Sequence, residues 1–169
     1  RMILKAKEGG ASHAKIQGLY SSELTKRPEF ELENQKEGSL LRPYQAEFDR
    51  LAKLDLTLET ESNFVEACKL AGIIPMTTVF THLGLERALT AGFKNFKIAS
   101  YDCASRALIS RILPHADELV ISTGATAGSE IELTSKLVSK EKKPHTKIAF
   151  LHARTIYPTP LDKMNISRL

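Results

Sequence analysis

The sequence lacks most of the features that would set it apart from ordinary globular proteins. It holds only two cysteines, Cys68 and Cys103, too few for a disulfide framework and not spaced as a metal knuckle. No apolar run approaches the ~20 residues needed to cross a bilayer, and no signal-peptide pattern opens the chain. There is no low-complexity tract and no internal repeat beyond the unit described below. The basic cluster Lys140-Glu141-Lys142-Lys143 contains an acid and has no interleaved aromatic residue, so it reads as a solvated loop between elements. These absences lead to the expectation of a cytoplasmic protein with reduced thiols and neither a nucleic-acid nor a membrane partner.

What is present fits one domain with a sizeable core: 169 residues, 42% hydrophobic and 26% charged. The net charge of +4 is compatible with an anionic small substrate but does not demonstrate one. Met2-Ile3-Leu4 with Ala6 reads as the tail of a helix ending at Gly9-Gly10, and residues 165–169 read as the first turn of another. The expectation is therefore a piece of a longer protein.

Short apolar strands alternate with amphipathic helices. Strands are expected at His13 to Gln17, Ile73 to Thr78, Phe96 to Ser100, Leu119 to Ser122 and Lys147 to His152. The middle three recur about every 22 residues, close to the minimum for a strand, a helix and two tight turns. Thr57 is a plausible N-cap, followed by Glu59 and Glu61 near the positive end of the helix dipole. Phe64, Val65, Cys68 and Ala71 then make an apolar face, closed by Gly72. Leu83 to Ala91 repeats the scheme with Leu85 and Leu89 inward and Gly92 closing. Ala104 to Leu113 stops before Pro114, and Thr126 is expected to cap a helix carrying Ile131, Leu133, Leu137 and Val138. Such crossovers imply a parallel sheet. Gly18 to Arg42 is a polar excursion without a convincing period, either a binding lid or a surface insertion.

In parallel β/α folds the chemistry gathers at the carboxyl ends of the strands. Polar residues are dense there: Lys15 and Gln17, Thr77 and Thr78, Lys97, Ser100 and Asp102, Ser122 and Thr123 before Gly124, with Tyr157 beyond the fifth strand. Cations and hydroxyls converging from several strands suit a phosphate-bearing ligand. An ammonium among apolar strand residues must be paired or functional, which makes Lys15 and Lys97 the hardest to dismiss. Ser122 and Thr78 could instead cap neighbouring helices. His82, His115 and His145 read as surface or loop residues, His152 as a hydrogen-bonded barrel residue, and Cys103 as a packed small side chain.

Five stretches in register resemble the sialic acid synthase family, which includes the legionaminic and pseudaminic acid synthases. They are Ala14-Lys15-Ile16-Gln17, Thr77-Thr78-Val79-Phe80, Phe96 to Asp102, Ile121-Ser122-Thr123-Gly124 and His152 to Pro160. Lys53 to Leu56 and Cys68-Lys69 are similar as well. The resemblance implies an α/β fold, a partial (β/α)8 TIM barrel of about five parallel β/α units corresponding to strands 2 to 6. It implies that residues 1–169 form an incomplete catalytic domain. The family's first strand with its catalytic glutamate, its last strands with metal-binding histidines and its C-terminal antifreeze-like domain would lie outside. That last domain reaches into a partner's site, so the parent is expected to be a homodimer.

The implied reaction condenses phosphoenolpyruvate with an N-acetylated amino sugar and releases phosphate, with a divalent metal, Mn²⁺ or Mg²⁺, whose ligands fall outside this chain. Carried over, Lys15, Thr78, Lys97, Ser100 and Ser122 would contact the phosphate and carboxylate. Gln17 and Tyr157 would line the sugar side, and Lys97 and Asp102 would be the catalytic pair. Asp102 stands for the family's glutamate, Val79 for its proline, and Thr155 for an asparagine that contacts ligand. Two alternatives remain: another phosphoenolpyruvate-condensing keto-sugar-acid synthase, and a non-catalytic sugar-phosphate-binding barrel. Alone, the chain is expected to be inactive and, with two open sheet edges, prone to aggregate.

Overall fold

A computed structural model describes residues 1–34 and 41–168. In chain order the elements are α1 (Met2–Glu8), β1 (His13–Gly18), α2 (Tyr44–Ala52), α3 (Leu58–Leu70), β2 (Ile74–Val79), α4 (His82–Ala91), β3 (Asn95–Ile98), α5 (Arg106–Ile112), β4 (Glu118–Ser122), α6 (Gly128–Glu141) and β5 (Lys147–Leu151). The five strands form one parallel sheet in the order β1-β2-β3-β4-β5. Each strand pairs with the next in sequence and the order never reverses. Right-handed crossovers then place every connecting helix on the same face, and a sheet covered on one face curls toward the other. That is the construction of a (β/α)8 barrel, of which these five units are a part.

Strand alternation divides the residues between two faces. On the outer face, Thr77, Val79, Phe96, Ile98, Leu119 and Ile121 are buried, with Ile16, Ile148 and Phe150 half-buried beside them. They meet Val65, Leu85, Ala88, Leu108, Ile109, Ile112 and Val138 from the helices in one apolar core. The inner face carries His13, Lys15 and Gln17 on β1, Met76 and Thr78 on β2, Lys97 on β3, Glu118 and Ser122 on β4, and Lys147 on β5. His13 Nε2 lies 2.8 Å from Glu118 Oε2 although β2 and β3 run between them. Side chains standing perpendicular to a flat sheet would keep tips three strand spacings, ~14 Å, apart. The contact therefore requires a sheet concave toward this face.

Helix ends follow their caps. Thr57 Oγ1 accepts from Thr60 N at 3.1 Å, and Thr81 Oγ1 accepts from Gly84 N at 2.9 Å. Gly92 closes α4 at φ 94, a conformation a Cβ disfavours.

Several expectations are corrected. The cap of α6 is Ala127, not Thr126, because Glu130 returns its carboxylate to the Ala127 N–H while Thr126 turns to the Ser100 carbonyl. Leu133 is half exposed, on the solvent side of α6. Lys140 and Glu141 belong to the end of α6. Helix α5 is shorter than expected, and Pro114 lies inside a 3-10 turn that extends it, Leu113–His115. The polar excursion is not patternless where described: it holds 3-10 turns at Ser21–Glu23, Pro28–Phe30 and Leu32–Asn34, while residues 35–40 lie outside the described residues. The last turn is a 3-10 segment, Ile166–Arg168, and Leu169 lies outside the description.

Candidate functional site

Two lysines repeat one geometry on the inner face. Lys15 pairs laterally with Met76, and its Nζ donates at 3.2 Å to Thr78 Oγ1, two residues further along β2. Lys97 pairs laterally with Val120, and its Nζ donates at 2.7 Å to Ser122 Oγ, two residues further along β4. Both ammoniums thus lean toward the carboxyl ends of the strands. Thr78 and Ser122 are buried and serve the lysines instead of capping helices. Among the described residues neither lysine lies within 4 Å of a carboxylate.

The electrostatics follow from that arrangement. Burial holds Lys97 below the ordinary lysine range. Burial, and secondly the Lys97 ammonium, does the same to Lys15. This like-charge pair has the Thr78 and Ser122 hydroxyls and the Ile98 carbonyl as its hydrogen-bond partners, and such an arrangement favours an anion as counter-charge.

Ser100 and Asp102 begin and end a 3-10 turn directly after β3. Asp102 is half-buried, and burial raises its carboxyl above the usual carboxylate range. The turn is fixed from outside: Thr126 Oγ1 donates to the Ser100 carbonyl at 3.0 Å. Gly124 lets the β4 loop pass close by, since a Cβ there would meet Ser100 Oγ at 2.9 Å and the Ala153 carbonyl at 3.0 Å. Gln17 is exposed at the end of β1, level with Thr78 and Lys97.

Thr155 and Tyr157 stand apart from this cluster. Tyr157 is fully exposed at 101%. Thr155 lines a cavity of about 660 Å³ with Arg154, Thr123, Thr126, Phe150 and Ile131. Phe150 faces outward and Ile131 comes from α6, so this cavity opens on the helix side of the β5 edge, not over the lysines. His152 Nε2 meets the Met164 carbonyl at 2.8 Å, as a hydrogen-bonded residue, while His82, His115 and His145 are exposed. Both cysteines are buried and free. Among the described residues no three His, Cys, Asp or Glu side chains converge as a metal would need. The residues present therefore do not form the divalent-metal site that the resemblance implies.

Sequence reasoning passed over Glu118, and it read His13 only as a strand residue. Counting alternate positions back from Lys15 and Ser122 would have set both on the inner face.

A model of the NeuB family matches residues 2–169. This chain belongs to the NeuB family. Among relatives, it is 24% identical over 125 residues to the N,N'-diacetyllegionaminic acid synthase of Campylobacter jejuni subsp. jejuni serotype O:2, covering 74% of this chain and 37% of that protein. It is 24% identical over 170 residues to the pseudaminic acid synthase of the same organism, covering 98% and 47%. The chain spans about half or less of the curated relatives it matches. The N-acetylneuraminic acid (sialic acid) synthetase of Leptospira borgpetersenii serovar Hardjo-bovis, solved with citrate, superposes with a TM-score of 0.77 at 23% identity, covering 99% of this chain and 52% of that one. That likeness is one of fold. Within this NeuB-family chain, the matched region includes every inner-face residue described above.

Proposed function

We propose that this chain supplies the phosphoenolpyruvate-binding part of an enzyme that joins phosphoenolpyruvate to an N-acetylated hexose, giving a nonulosonic acid of the sialic-acid type and phosphate. The observation that carries this reading is the pair of ammoniums, Lys15 and Lys97, brought to one concave face without a carboxylate partner among the described residues. A phosphate and a carboxylate on a three-carbon frame would give each ammonium a counter-charge.

The chemistry then runs through this chain's own residues as follows. C3 of the enol forms a bond to the aldehyde carbon, and positive charge grows at C2. Asp102 forms no ion pair among the described residues, and burial makes its charge costly. A cationic centre beside it would supply the missing partner only as the reaction proceeds, which is differential stabilisation. Water adds at C2 and gives up a proton, and the former aldehyde oxygen gains one to become a hydroxyl. The bond from C2 to the phosphate oxygen breaks as the C2 ketone forms, releasing phosphate. Lys15, Thr78, Lys97, Ser100 and Ser122 hold the anion in line, with Gln17 and, from its loop, Tyr157 on the sugar side. The Mn²⁺ or Mg²⁺ expected from the resemblance would be held from elsewhere, and no step is routed through it.

Calorimetric titration with phosphoenolpyruvate tests the binding step. Lys97→Ala should weaken Kd by about 10–100-fold, the worth of a charge-assisted contact. In the full-length protein, phosphate release with a panel of N-acetylated hexoses tests the condensation. No release with any sugar, together with unchanged binding in Lys97→Ala, would retire the synthase reading and its keto-sugar-acid variant together. Binding without release would leave the non-catalytic barrel.

A further inference from the structure

We infer that His13 and Glu118 form a brace across the concave face that sets the width of the anion site above it, which makes them positioning residues. The inference rests on the proposed function for what occupies the site, but the brace itself has a purely structural readout.

The two residues open their strands: His13 begins β1 and Glu118 begins β4. Their contact is 2.8 Å, and their side chains are only 27% and 20% exposed. A carboxylate only accepts, so Nε2 carries the hydrogen and donates. The other ring nitrogen, Nδ1, sits 2.8 Å from Ser12 Oγ, whose hydroxyl can donate to it. The imidazole is thus oriented from both sides. Glu118 has a nearer candidate partner in Lys147, its lateral neighbour on β5 and on the same face. Its carboxylate forms no ion pair with that lysine among the described residues and reaches over β2 and β3 instead.

The brace and the site share a face and a pair of strands. Lys15 lies two residues above His13 and Ser122 four above Glu118, about 7 and 13 Å along the strands. Above the brace, Lys15 and Lys97 stand on the same concave face as like charges, whose repulsion disfavours their approach. The brace is the one side-chain hydrogen bond that joins β1 to β4 among the described residues. It opposes the repulsion and holds Lys15 within reach of the group that Lys97 and Ser122 bind.

Spin labels at Gln17→Cys near the end of β1 and Ala125→Cys in the loop after β4, both exposed positions, report the separation of the two strand ends, since the native thiols are buried. His13→Phe keeps bulk but cannot donate, and it should shift the distance distribution to longer values. In the unlabelled chain the same change should weaken binding of phosphoenolpyruvate, and of inorganic phosphate as a smaller probe, about fivefold in Kd. Glu118→Gln retains an acceptor and should stay near wild type in both measurements. Adding Glu118→Ala to His13→Phe should cost nothing further. If His13→Phe does not fold, His13→Gln, which can still donate, and Glu118→Ala, which cannot accept, carry the same contrast. An unchanged distance in the variants that break the contact overturns the brace. Should the distance lengthen while wild type binds neither anion, the brace stands and the proposed function falls.

Discussion

At the scale of single residues, the two lysines make a prediction with a definite sign. Both titrate below the ordinary lysine range, through burial first and, for Lys15, the Lys97 charge second. Between its folded and unfolded pKa such a base holds fewer protons folded than unfolded, so folding stability rises with pH in that window. On the proposed function, anion affinity needs both ammoniums and should fall across the same window, which ends near the ordinary lysine value of about 10.4. Thermal melts and phosphoenolpyruvate titrations against alkaline pH should therefore slope in opposite directions; identical slopes in Lys97→Ala would acquit the lysines. Gly124→Ala is expected to lose about 1–3 kcal/mol, because its methyl would press on Ser100 and the Ala153 backbone; a melt unchanged from wild type would refute that crowding. Lys15, Thr78, Lys97 and Ser122 were legible as polar residues at strand ends. That each lysine rests on a hydroxyl two residues ahead on the next strand was not, because lateral register is a property of pairing and not of any one segment.

Elements are tied together at a place where the sequence suggested only an acid near a helix start. Glu61 of α3, 1% exposed, accepts from the Tyr20 hydroxyl just after β1 and from Arg87 Nε of α4 at 2.6 Å. The Arg87 guanidinium lies 4.4 Å from the Tyr20 ring centroid and also donates to the Leu56 carbonyl. Ser21 adds two bonds to the Asp55 carboxylate, at 2.9 and 2.6 Å, and Glu23 accepts from Thr81 at 2.7 Å. Residues 20–23 are thus pinned to α3, to the start of α4 and to the loop before α3. Arg87→Ala would leave a buried carboxylate without its cation, a loss of roughly 3 kcal/mol, or about 10 °C in Tm. A shift below about 2 °C would show the cluster to be weakly coupled. Helix boundaries were readable from Thr57, Gly72 and Gly92, since caps are local. This tie was hidden because its hydrogen-bonded members are 26 to 58 residues apart.

For the whole molecule, the parallel sheet followed from the rhythm of strand and helix and its partial-barrel architecture from the resemblance, while the helix Tyr44–Ala52 was a long element not foreseen, masked by the polar stretch before it. Strands β1 and β5 each pair on one side only among the described residues. Exposed backbone of that kind templates further pairing, so this chain by itself should self-associate as concentration rises. Light scattering that reports a monomer throughout, with a single cooperative melt, would contradict this.

The alternation of the strands has a last consequence. Neighbouring residues answer to different demands: Phe96 and Ile98 to the packing beneath the helices, Lys97 between them to whatever enters from the open side. Recognition can drift in such a chain by substitution at every second position while the layer under the helices stays untouched, so new guests can be tried without first solving the problem of folding again.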